Sequence, residues 1–171
     1  DMDFLKGSDY GRIYRILPTN AGTSEIRTPD LQKRSSSELV KLLAHPGRWW
    51  RLQAQRLLLE RQDLSVVPEL RMLFAKHEDP TVRLHALYAL EGLNSLTDEL
   101  VNKALSETSP GIREHGVILA ERFPGCLERA ITKIDDPSIR VAFQATLTTG
   151  DFHGEKVITA LAHALTKYGQ D

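Results

Sequence analysis

Apolar residues along most of this chain recur at helical spacing in short runs, and each run is closed by a polar or proline-containing break. The densest runs are Ala86-Leu87-Tyr88-Ala89-Leu90, Val117-Ile118-Leu119-Ala120 and Val141-Ala142-Phe143. Each follows one phrase: Asp79-Pro80-Thr81-Val82-Arg83, Ser109-Pro110-Gly111-Ile112-Arg113 and Asp136-Pro137-Ser138-Ile139-Arg140, with Pro46…Arg51 a looser copy. The arginines stand at Arg51, Arg83, Arg113 and Arg140, about 30 residues apart, the period of stacked helical hairpins. The pattern predicts an all-α chain, an α-α superhelix of about four hairpins plus a terminal helix over residues 36–171. First helices are expected near 37–44, 66–77, 98–107 and 126–134, second helices near 48–62, 80–92, 110–122 and 137–148, and the last helix over 155–168.

The repeated phrase is a device for starting a helix. Asp or Ser accepts hydrogen bonds from the first free backbone N–H groups, and proline at the next position has no N–H to leave unpaired. Gly92, Gly125 and Gly150 fall where helices should stop and are expected to be left-handed caps. A single hairpin cannot bury its apolar stripe alone, so neighbouring hairpins must share one core.

The first residues do not follow this pattern. Gly11-Arg12-Ile13-Tyr14-Arg15-Ile16-Leu17 alternates apolar with cationic positions and ends at Pro18, which reads as a strand. A lone strand leaves its ladder unpaired, so residues 1–17 are expected to be the remnant of an upstream β-domain. Residues 18–35 are rich in turn formers and read as a linker.

Charge and cysteine content narrow the chemistry. The formal net charge is −1, which argues against a dedicated nucleic-acid binder. Residues 1–62 carry eleven Lys/Arg against seven Asp/Glu, and the remainder carry eleven against sixteen, so the chain is polarised end to end. Cys126 is the single cysteine, which excludes an internal disulfide and any two-cysteine metal or haem motif. No apolar run approaches the length of a membrane span.

The Asp-Pro-x-Val-Arg phrase resembles HEAT-like repeats across residues 36–171. That resemblance implies that the arginine ties each repeat to the acidic cap of a neighbour. Arg83, Arg113 and Arg140 match by position, and Arg51 is displaced by Trp49-Trp50. A second resemblance rests on Gly7-Ser8-Asp9-Tyr10-Gly11-Arg12-Ile13-Tyr14-Arg15-Ile16, which is similar to the closing strand of a glucose/sorbosone-dehydrogenase-type β-propeller. Followed by His45-Pro46-Gly47-Arg48-Trp49-Trp50-Arg51 and Arg83-Leu84-His85-Ala86-Leu87-Tyr88, it resembles the membrane-bound dehydrogenase-type proteins of planctomycete and verrucomicrobial bacteria. Those run propeller, HEAT-like repeats, then a c-type haem domain. The resemblance implies a non-catalytic helical scaffold that holds no cofactor itself and contacts neighbouring protein domains of its own chain. It also implies a periplasmic, secreted or membrane-associated parent.

Several side chains are candidates for chemistry. His85 and His115 each stand two residues after a repeat arginine, with Gln53 and Ala142 at the same place in the first and last copies. Gln53, His85 and His115 form either a polar strip on the concave face or hydrogen bonds within the stack. No third metal ligand is placed with the histidines. Trp49 and Trp50, flanked by Arg48 and Arg51, are candidates for partner contact. In an alternative reading they stack on nucleobases, as in DNA-glycosylase-type HEAT-repeat proteins. Consecutive helical residues diverge by about 100°, so only one of the two rings faces a given groove. Cys126 reads as a buried small residue, Asp135 and Asp136 as helix-capping carboxylates, and His163 as incidental. No residue qualifies as catalytic.

Overall fold

The helical body opens on a reciprocal cap. Ser35 accepts from the Glu38 backbone N–H, and the Glu38 carboxylate accepts from the Ser35 backbone N–H at 2.9 Å. The computed structural model describes residues 30–169. The chain divides into two units, Asp1–Asp30 and Leu31–Asp171, and the fold below is that of the second. The strand expected over 11–17 and most of the linker expected over 18–35 lie outside the described residues. The helical body begins at Leu31, ahead of the expected boundary at 36, because Leu31 is buried and Arg61 donates to the Arg34 and Gln32 carbonyls.

All the regular secondary structure among the described residues is helical. In chain order the helices are α1 (Ser36–Leu42), α2 (Arg48–Arg61), α3 (Val67–Lys76), α4 (Pro80–Gly92), α5 (Asp98–Leu105), α6 (Pro110–Ala120), α7 (Leu127–Ile131), α8 (Ile139–Gly150) and α9 (Glu155–Tyr168). Short 3-10 turns at Pro124–Cys126 and Thr132–Asp135 flank α7. Short connections pair α1 with α2, α3 with α4, α5 with α6 and α7 with α8, and α9 packs on α8. The second helices then stack in order, α2 on α4, α4 on α6 and α6 on α8.

One apolar cluster runs through the whole stack, with Leu39, Leu58, Phe74, Leu90, Leu105, Ile112 and Ile134 all sealed from solvent. Full burial of such a side chain is worth about 1.5–3 kcal/mol. Small residues occupy the seventh position of each second helix: Ala54, Ala86, Gly116 and Ala145, all buried. The reason is plain at Gly116, where a Cβ would lie 2.9 Å from the Leu105 backbone nitrogen. There α5 and α6 touch backbone to backbone.

The helix ends depart from expectation at two kinds of place. Gly92 is the last residue of α4 rather than a left-handed cap, and a Cβ on it would sit 2.7 Å from Leu59 Cγ. Close packing therefore explains that glycine. The left-handed positions fall on Gln62, Asn94 and Gly154. Gln62 replaces a glycine cap by donating through its side chain to the Leu59 and Gly92 carbonyls. The fourth copy of the repeated phrase is also out of register. The residues before the second helices are Gly47, Asp79, Ser109 and Ser138, so α8 begins two residues later than Asp136-Pro137 predicts.

Candidate functional site

Counting from those helix starts, the fourth residue of each second helix is Arg51, Arg83, Arg113 and Ala142. The backbone agrees, since each of these four donates to the carbonyl of its own N-cap residue. Arg83 donates to the Phe74 carbonyl at 2.7 Å and pairs with Glu107 in the loop leading to α6. Arg113 makes a bidentate contact with Asp136 in the loop leading to α8, and also donates to the Glu107 and Thr108 carbonyls. Two rungs of an arginine ladder therefore join successive hairpins.

Arg51 and Arg140 do not extend it. Arg51 ties down its own loop through the His45 and Pro46 carbonyls, each at 2.8 Å. The place of Glu107 and Asp136, two residues before the N-cap, is held ahead of α4 by His77, so Arg51 meets no carboxylate there. His77 instead accepts from the Asp79 N–H, as Asp136 does from Ser138. Arg140 stands at the second position of α8, 77% exposed, and reaches back to Glu114. Its spacing in the sequence matched a phrase whose helix starts elsewhere.

The sixth positions are Gln53, His85, His115 and Gln144. The structure sets Gln144, and not Ala142, in line with the histidines. Each histidine is engaged by the helix before it. His85 Nδ1 lies 2.6 Å from Gln55 Oε1, and Arg51 Nε points at His85 Nε2 from 3.4 Å. An arginine can only donate, so Nε2 accepts and Nδ1 carries the proton given to Gln55. His115 Nδ1 lies 2.7 Å from the Tyr88 hydroxyl, and the rings meet edge to face. Burial lowers the pKa of both imidazoles, and the Arg51 and Arg48 charges lower His85 further. Burial also raises the Tyr88 pKa, with Glu114 adding to it. The arrangement favours neutral groups that stitch helix to helix.

Sequence reasoning missed Gln55, Tyr88 and Glu107 because each is picked out only by the register of the next helix. Gln53, two residues before Gln55, lies half-buried on α2.

The two tryptophans part company. Trp50 packs against the core and against His45, with ring centres 5.1 Å apart. Trp49 is 52% exposed and meets Trp50 edge-on at 5.3 Å. Arg48 beside it is exposed and Arg51 is turned into the loop. No family model matches the chain, and neither does any curated protein.

The remaining candidates are accounted for locally. Cys126 is buried, its thiol directed at the Asp98 carbonyl at 3.4 Å, and burial raises its pKa. Asp136 serves the ladder, whereas exposed Asp135 takes His163 at 2.9 Å and Lys167 at 2.8 Å, fastening α9 to the turn after α7. His163 thus has a structural partner that its sequence setting did not show. Among the described residues no three His, Cys, Asp or Glu gather where they could hold a metal ion. No helix among them is long and apolar enough to cross a membrane.

Proposed function

We propose that the chain is a non-catalytic, HEAT-like scaffold that binds protein segments and acts by holding them at fixed spacing. The observation that carries this reading is the use to which its polar side chains are put. Arg83, Arg113, His85, His115, Gln55 and Tyr88 all spend their hydrogen bonds on joining one helix to the next. A chain of hairpins joined in this way transmits position along its length. The resemblance to dehydrogenase-type proteins adds the expectation that the segments held are a propeller and a haem domain, with the cofactor in the latter.

The exposed pair Arg48 and Trp49 supports a second reading, contact with nucleic acid through base stacking. Tryptophan fluorescence of the chain, titrated with single- and double-stranded oligonucleotides at low salt, separates the two. The scaffold reading expects no change. A salt-sensitive quench abolished by Trp49→Ala replaces it with the nucleic-acid reading. Turnover of any substrate that depends on one named side chain removes the non-catalytic part.

A further inference from the structure

We propose that the joint between the first and second hairpins is a proton-operated hinge, with the His85 imidazole standing where the joint between the third and fourth has a carboxylate. Arg51 and Arg113 are posed alike, each at the fourth position of its helix. Nη1 of Arg51 donates to the His45 and Pro46 carbonyls, and Nη1 of Arg113 to those of Glu107 and Thr108, all at 2.8 Å. The other edge of each guanidinium faces the next hairpin. From Arg113, Nε donates to Asp136 Oδ2 at 2.8 Å. From Arg51, Nε donates to His85 Nε2 at 3.4 Å. The acceptor is an anion at one joint and a weak base at the other.

His85 holds α2 through both ring nitrogens, since Nδ1 donates to Gln55 Oε1 at 2.6 Å while Nε2 accepts from Arg51. A second proton goes to Nε2, where it sets N–H against N–H and puts one cation beside another. Two more imidazoles at this joint also act as acceptors. His45 Nδ1 accepts from the Gly47 N–H at 2.9 Å ahead of α2, and His77 Nδ1 from the Asp79 N–H at 3.1 Å ahead of α4. Asp136, in the place of His77, accepts from both Ser138 and Arg113. Ordinary carboxylates stay ionised at pH 5.5, whereas histidines take up protons near about 6.5.

The surrounding charges oppose a cation on His85. Burial, then Arg51 and Arg48 of α2, lower its pKa, and Asp79 ahead of α4 pulls the other way. Helices α3 and α6 also pack on α4 and bring no charge that acts on it among the described residues. His77 borders a cleft shared with Lys41, Lys76 and Glu69. The joint between the second and third hairpins is built differently. The Tyr88 hydroxyl donates to a bare His115 Nδ1 or accepts from a protonated one, so that contact survives a proton. Arg83 and Glu107 add a carboxylate rung there. At the far end of α2, Gln62 donates to the Gly92 carbonyl at 3.1 Å, and Ser37 of α1 donates to Glu69 of α3. Acid therefore frees the start of α2 and leaves its end attached, with Gln62 as the pivot. The hinge goes beyond the scaffold reading and rests on the fold alone: the first hairpin is held in line at neutral pH and released in acid.

Hydrogen exchange of the full chain, followed by mass spectrometry at pH 7.5 and 5.5 and expressed as protection factors, tests it. Protection over residues 48–55 is expected to fall about threefold or more at pH 5.5, relative to residues 112–119 of α6. His85→Gln puts an amide that takes no proton in place of the ring, and is expected to remove the fall. His77→Asp gives Arg51 the acidic partner that Arg113 has, and is expected to shrink it. His163→Gln, at the distant α9 contact, is expected to leave the fall unchanged. An equal change over 48–55 and 112–119 overturns the proposal, since acid then loosens the whole stack alike. So does a fall that persists in His85→Gln. Where that variant does not fold, nitrogen NMR of the unaltered chain decides. An Arg51 Nε–H signal that stays fixed while His85 takes its proton overturns the hinge. None of these outcomes touches the oligonucleotide and turnover tests, on which the scaffold reading stands or falls.

Discussion

Arg113 grips Asp136 at two points, Nε to Oδ2 at 2.8 Å and Nη2 to Oδ1 at 2.7 Å, with side chains only 11% and 3% exposed. Burial alone would raise the Asp136 pKa, but the Arg113 hydrogen bonds and the Ser138 N–H outweigh it and hold the carboxyl below its usual range. The pair spans two hairpins, so it couples their stability in a way that an exposed ion pair does not.

Removing Arg113 leaves that carboxylate buried without its partner. Loss of one member of a buried pair costs about 3–5 kcal/mol. Arg113→Ala is expected near the lower end, about 3 kcal/mol, which lowers Tm by roughly 6–12 °C in a chain of this size. Arg129 is exposed and makes only longer contacts, 3.2 Å to Ser106 Oγ and 3.5 Å to the Asn102 carbonyl. Arg129→Ala is expected to stay within about 0.5 kcal/mol. Thermal melts of the two variants side by side decide the matter, and equal shifts refute the ladder.

Glu38 offers a direct titration. The Ser35 backbone N–H, then the Arg34 guanidinium and the Ser35 hydroxyl, hold its pKa down to about 2. Its folded pKa lies below the unfolded value of about 4.3. The contribution to stability is therefore complete above about pH 4.3 and lost as pH falls through about 2. Ser35→Ala removes the hydroxyl and the reciprocal cap, at a cost of about 1 kcal/mol. Carbon-detected NMR of the carboxyl should show the Glu38 midpoint rising in that variant, and an unmoved midpoint contradicts the capping box.

His85 and His115 predict a pH effect of the same sign at higher pH. Both pKa values are lowered by burial, so the unfolded chain takes up protons near pH 6.5 before the folded chain does. Stability is expected to be flat above that pH and to decline as pH falls below it. The urea midpoint at pH 5.5 should lie below that at pH 7.5, and the gap should narrow in His115→Gln. Nitrogen NMR should find His85 protonated on Nδ1. A proton on Nε2 would contradict the Arg51 and Gln55 contacts.

The legible and illegible parts of this chain differ in range. Helix α4 was placed to the residue because Asp79 caps it, Pro80 starts it and its apolar stripe is uninterrupted, all within a few positions. The fourth copy misled because Asp136-Pro137 has the composition of a start signal but Asp136 is committed to Arg113, 23 residues away. No local pattern carries that information. For the same reason Arg140 reads as a rung and Ala142 as the counterpart of the histidines, whereas in α8 Ala142 stands at the rung position and Gln144 in line with the histidines. The histidine strip was visible as a spacing, but its partners Gln55 and Tyr88 emerge only when one helix is laid against the next.

Two glycines test that packing with one substitution each. Alanine is the better helix former by about 1 kcal/mol, so propensity alone predicts that both changes stabilise. At Gly150, the last residue of α8, a Cβ would meet nothing within 4 Å, and Gly150→Ala is expected to raise stability by up to about 1 kcal/mol. At Gly116 the new carbon would lie 2.9 Å from Leu105 N and 3.0 Å from Ala104 C, which are backbone atoms of α5 and cannot swing aside. Helix α6 would have to withdraw from α5, loosening the second helix that both Arg83 and Arg113 tie to its neighbours. Overpacking of this kind costs about 1–3 kcal/mol, so Gly116→Ala is expected to destabilise despite its propensity. Denaturant midpoints of opposite sign for the two variants would locate the closest approach of the stack at α5–α6; a stabilised Gly116→Ala would show that the two backbones do not meet there.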